Sequence, residues 1–186
     1  MQEHLRYEQV DFSGQSLCGK EYEECTFYKC NFEQADLGRA VFTQCVFESC
    51  NLSLAKLGGT ALRDTSFNSC KLLGLHFDEC NEFLFSVSFS QCTLDLASFY
   101  KVRMKGTKFS ACSLLEVDFS EADLSKAVFA DCDLSGAIFD RTVLEQADLR
   151  QAYHYAIHPE TNKIKKAKFS ANGIAGLLSR YQIIIE

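Results

Sequence analysis

Residues 30–57 read CNFEQADLGRAVFTQCVFESCNLSLAKL, and every fifth position is a large apolar side chain: Phe32, Leu37, Phe42, Phe47, Leu52 and Leu57. Two residues ahead of each stands a small one, namely Cys30, Ala35, Ala40, Cys45, Cys50 and Ala55. The other three places are mostly polar. A helix repeats its apolar face about every 3.6 residues and a strand about every second residue, so this period belongs to neither. One large and one small inward residue in each unit describe a chain that turns a corner every five residues. Stacked corners bury both and leave the polar residues outside.

The period extends in both directions. From Phe12 to Phe77, and again from Phe89 to Leu149, it covers 27 positions, of which 25 are Phe or Leu. The whole chain holds 37 Phe and Leu in 186 residues, so chance would place about five there. Positions twenty apart form columns. Phe27, Phe47, Phe67, Phe89, Phe109 and Phe129 make one, and Cys30, Cys50, Cys70, Cys92, Cys112 and Cys132 make another. Both step by 22 once, which places a two-residue insertion within 78–87.

The segments AlaAspLeu at 35–37, 122–124 and 147–149, with CysAsnPhe at 30–32 and CysAsnLeu at 50–52, resemble the pentapeptide-repeat family over roughly residues 8–152. The resemblance implies an all-β solenoid, a right-handed quadrilateral β-helix with four pentapeptides per coil. It predicts about seven coils over residues 1–152, roughly 34 Å at ~4.8 Å per coil. Residues 153–186 are expected to form a C-terminal capping and dimerisation segment with a short α-helix.

Composition narrows the function. Lys and Arg total 19 against 25 Asp and Glu, a formal charge of -6, which argues against direct nucleic-acid binding. No apolar run is long enough to span a bilayer, and MQEHLRYEQVDF is no secretory signal, so the expected location is cytoplasmic. Eight of the ten cysteines fall at the small inward position and read as compact fillers rather than disulfides or zinc ligands. Cys18 is the outward thiol. The four histidines (4, 76, 154 and 158) and the recurring Ser and Asp form no recognisable catalytic set, and no phosphate-binding glycine motif occurs. The expectation is a binding protein, not an enzyme, with no cofactor and no metal.

Residues 1–149 carry 13 basic and 23 acidic side chains, whereas 150–186 carry six and two. Glu116, Asp118, Glu121, Asp123, Asp131, Asp133, Asp140, Glu145 and Asp148 concentrate in the last two coils as an acidic face for a basic partner. In the tail, Ser170 is placed to N-cap a helix with Ile174, Leu177, Leu178 and Tyr181 at apolar spacing, followed by Ile183, Ile184 and Ile185 as a β-like end. Gly173 and Gly176 make that helix dependent on docking.

This ending resembles the pentapeptide-repeat proteins that act on DNA gyrase, the quinolone-resistance (Qnr) type and the microcin B17 immunity type. The resemblance implies a homodimer through the C-terminal segment, DNA mimicry, and a partner among the type II topoisomerases, DNA gyrase or topoisomerase IV. Such proteins relieve poisoning by quinolones or peptide toxins. The alternative is an interaction scaffold for an unrelated protein. Around the insertion, Leu84 is expected to face inward between Phe77 and Phe89. At least one of Phe83 and Phe85 then points outward, either as an anchor for the partner or folded onto neighbouring coils.

Overall fold

The computed structural model describes residues 2–184, a parallel β-solenoid whose core is the five-residue pattern itself. Ile185 of the expected β-like end lies outside the described residues. Every large position from Leu17 to Leu149 is buried except the one at the insertion, and Phe12 in the first coil is half-covered. Nearly every unit ends in a corner residue two places after the large one, held at positive φ: Glu24, Lys29, Gln34 and Arg39 lie between 50° and 55°, while Glu79 and Gln151 depart from the rule.

Four faces result. The first stacks β1 (Gln2–Glu3), β3 (Glu21–Glu23), β5 (Val41–Thr43) and β7 (Ala61–Arg63) in parallel. The second is a seven-stranded parallel ladder of β2 (Arg6–Glu8), β4 (Thr26–Tyr28), β6 (Val46–Glu48), β8 (Thr65–Asn68), β9 (Val87–Ser90), β10 (Lys108–Ser110) and β11 (Val128–Ala130). Single bridges build the third, from Asp11 and Asn31 to Asp133 and Tyr153, and the fourth, including Ser98, Asp118 and Ile138. Inside, rings stack coil on coil and meet their neighbours edge-on. Phe27 and Phe47 lie 4.8 Å apart at 14°, whereas Phe27 and Phe32 cross at 77°. Both are favoured aromatic geometries.

The cysteines do more than fill space. Corners that lead to alanine are closed by a backbone bond, as where Ala35 N–H donates to Phe32 C=O at 2.9 Å. Among the described residues, no such bond closes the corners from Tyr22 to Cys25, Phe27 to Cys30 or Phe47 to Cys50. The next coil supplies the missing partner. Cys50 Sγ donates to Phe27 C=O at 3.2 Å and faces the Cys30 N–H. Cys45 bridges Tyr22 and Cys25 in the same way, and Cys70 bridges Phe47 and Cys50. Asn162 does this with an amide: Oδ1 accepts from Thr142 N–H at 2.8 Å and Nδ2 donates to Phe139 C=O at 3.0 Å. A buried open corner would otherwise leave a backbone donor unpaired.

The insertion corrects the expectation for Leu84. The strand register is 20 from Phe47 to Phe67 and 22 from Phe67 to Phe89. The repeat keeps phase past Phe77: Cys80 is buried at the small position and Asn81 N–H donates to Thr60 C=O at 2.9 Å. Leu84 is therefore the corner residue, with φ of 59° and 63% exposure, not an inward centre. The large position falls on Glu82, which stays outside, and Phe85 packs its ring against the core from the added pair Phe85–Ser86. The coil ladder also continues beyond 152. Lys163 bridges Val143 and Lys168 bridges Asp148, so Ile164 and Phe169 extend the large positions as half-buried residues.

Candidate partner-binding surfaces

The acidic side chains do not share a face. The Asp of each AspLeu pair precedes a large residue, so successive units carry it round the rod. Asp123 and Glu145 sit on the first face, Asp148 on the second, Asp133 on the third and Asp118 on the fourth. Glu116, Glu121, Asp131 and Asp140 lie at or beside the corners between them. The single acidic face expected above is thus a belt, because the repeat rotates a quarter turn per unit.

The carboxylates are held in place by the chain itself. Asp118 Oδ1 accepts from Ser120 N–H at 2.8 Å, Asp123 from Ser125 at 3.0 Å and Asp133 from Ser135 at 3.0 Å. Part of the belt is neutralised. Glu121 contacts Arg141 at 3.1 Å and Lys101 at 3.6 Å, and Arg141 also meets Asp140. Arg150 pairs with Asp148 at 2.7 Å and holds its carboxyl below the usual range. Burial pushes Asp133 up, but the Ser135 hydroxyl and His154 outweigh it and leave the group lowered. Among the described residues, Glu116, Asp118, Asp123, Asp131 and Glu145 have no ion-pair partner.

At the insertion, Phe83 is 66% exposed and lies 5.7 Å from the Arg63 guanidinium, while Phe85 turns inward. The two rings therefore differ in kind. Phe85, Cys80, Tyr100, Val102 and Arg103 line a cleft of about 270 Å³ below the loop, on the first face where strand pairing lapses between β7 and Arg103. Nothing in the sequence signals this cleft, since its walls come from two coils.

The tail folds as short helical turns over Ala171–Gly173, α1 (Ala175–Leu178) and Ser179–Tyr181. Ser170 Oγ accepts from Gly173 N–H at 3.1 Å, as an N-cap should. Gly173 and Gly176 are explained by Tyr155: a Cβ at either would overlap the Tyr155 ring or carbonyl. The four apolar residues divide. Leu177 packs on the core, Leu178 is half-buried, and Ile174 and Tyr181 are exposed. Tyr181 Oη donates to Glu160 at 2.7 Å and Arg180 meets the same carboxylate at 3.5 Å. Ile184 is 88% exposed. Cys18 is exposed and the other cysteines are buried. No helix among the described residues is long and apolar enough to cross a membrane, and no group of three or more His, Cys, Asp or Glu there could hold a metal ion.

Fold and surface together define a solenoid rod that offers side chains along its length. The chain belongs to the pentapeptide-repeat family: the family model described as pentapeptide repeat region matches residues 20–99 and 82–177. No curated protein matches the chain in sequence. Among solved structures, it is similar to a trypsin-treated form of QnrB1, described as a plasmid-mediated fluoroquinolone resistance protein. The TM-score is 0.66 at 20% identity, covering 100% of this chain and 91% of that one. A second trypsin-treated QnrB1 form gives 0.69 at 17% identity, covering 97% and 100%.

Proposed function

We propose that this chain is a non-catalytic DNA mimic that binds a type II topoisomerase, DNA gyrase or topoisomerase IV, and relieves its poisoning by a quinolone or a peptide toxin. The observation that carries this reading is the belt of carboxylates. Glu116, Asp118, Asp123, Asp131 and Glu145 present unpaired negative charge on several sides of a narrow rod, as duplex DNA presents phosphates around its axis. Such a field attracts a basic protein surface from any side of approach. The likeness in fold to QnrB1 supports the same reading.

In this reading the rod pairs with a second copy through the C-terminal segment, which lengthens the charged surface, and works in the cytoplasm without nucleic acid or cofactor. Phe83 is the apolar anchor beside the belt, and Phe85 is the ring that holds the loop down.

Supercoiling and cleavage-complex assays with purified gyrase, with and without a quinolone, test it. The wild type is expected to change at least one of the two in the micromolar range. Phe83→Ser is expected to weaken the effect with melting unchanged. If neither assay responds to the wild type, the scaffold for an unrelated partner replaces the topoisomerase reading.

A further inference from the structure

Leu54, Leu73, Leu96 and Leu115 line one edge of the rod, the corner between the third and fourth faces. They come from four consecutive coils joined rung to rung. Leu54 N–H donates to Leu73 C=O at 3.0 Å, Gly74 to Asp95 at 2.9 Å and Leu96 to Leu115 at 2.8 Å. They are 52%, 37%, 57% and 37% exposed.

Two of these leucines occupy a costly backbone position. Leu54 and Leu96 have φ of 57° and 60°, the left-handed region in which Cβ crowds the following carbonyl oxygen. Among the described residues, that corner position otherwise holds glycine or a polar, charged or small residue, Leu84 at the insertion excepted. A leucine there gains neither full burial nor backbone ease, so folding does not account for it. Gly74 lies between them, and a Cβ on it would meet Leu54 Cδ2 at 2.9 Å. The glycine lets Leu54 lie along the edge and keeps the strip smooth.

We propose that this leucine edge docks an amphipathic helix of a partner protein, its apolar stripe on the four leucines and a basic residue at each end. Three coil steps of ~4.8 Å match three helical turns of ~5.4 Å to within about 2 Å, so residues at i, i+3, i+7 and i+10 each meet one rung. Charge fixes the ends. Glu33 closes the strip in the coil before Leu54 and Glu116 closes it beside Leu115, and neither has an ion-pair partner among the described residues. This edge is separate from Phe83 and from the C-terminal segment, and the proposal does not rest on the topoisomerase reading.

The test uses the full chain and a helical peptide of about 14 leucines and lysines with its leucines at that spacing. The control peptide has the same composition with its leucines spread around the helix. Fluorescence anisotropy is expected to show the patterned peptide binding at least tenfold tighter than the control. Leu54→Asn with Leu96→Asn is expected to erase that preference while melting stays the same or rises, because asparagine suits positive φ better. Three outcomes would overturn the proposal: preference retained by the double variant, a melting temperature lowered by several degrees, or loss in the variant of self-association seen for the wild type. The second would make the leucines structural, and the third would assign the edge to another copy of the chain.

Discussion

Cys45, Cys50 and Cys70 each answer a local need in the coil before them. Burial pushes the Cys45 thiol up to about 11, so it stays protonated, and able to donate, throughout the neutral range. Cys50→Ala would strand the Cys30 N–H in a dry interior and remove one of the donors on Phe27 C=O. Denaturant titration should show a loss of about 2 kcal/mol, part from the unpaired donor and part from the small void. Cys50→Thr should recover more than half, because Thr65 already makes the equivalent contact to Phe42 C=O at 3.2 Å. If the alanine variant is as stable as the wild type, the sulfur is filler and the bridging account fails. The sequence shows that residue 50 is small and inward. It cannot show that the corner behind it is open, since that depends on how Phe27 C=O turns.

Among the elements, the coil and the tail follow different rules. The coil was legible because a period of five with one large and one small residue leaves a single phase, which holds from Leu17 to Phe77 and, moved by two residues, from Phe89 to Leu149. The insertion was legible in size and to within residues 78–87, but not to the pair. Counting back from Phe89 makes Leu84 a centre, while counting on from Phe77 gives Glu82, and the polar residue hid the true unit. The acidic belt reads as a face in the sequence because a list of residue numbers does not show the quarter turn per unit. The tail depends on close approach. Gly176 lies over the Tyr155 carbonyl, and Ile157 N–H donates to Gly176 C=O at 3.0 Å. Gly176→Ala should therefore lower stability by about 1–3 kcal/mol and speed proteolysis after residue 170. Gly58→Ala, where a Cβ would meet nothing within 4 Å, serves as the neutral control. Equal melting and cleavage in both variants would show that the tail does not rest on Tyr155.

At the scale of the molecule, charge distinguishes the proposed contact of the acidic belt from the proposed contact between copies. Residues 1–149 sum to -10 and 150–186 to +4, from 13 basic and 23 acidic side chains in the first part and six and two in the second. A contact between the acidic belt and a basic partner weakens as salt rises, because screening removes its attraction. A two-fold contact between C-terminal segments brings like positive ends together, so salt should strengthen it. The apolar surface available for that contact is Ile174, Tyr181, Ile183 and Ile184, all exposed on one copy. Sedimentation equilibrium at tens of micromolar should show a dimer whose dissociation constant falls from low to moderate salt. Ile174→Lys should give monomers under the same conditions, since it raises the net charge of that end from +4 to +5 and places the new charge in a dry contact. Leu177 is the wrong site for this test, because it packs on the core and its loss would unseat the tail. A wild type that stays monomeric at every salt concentration, or a lysine variant that still dimerises, would remove the C-terminal segment as the contact between copies.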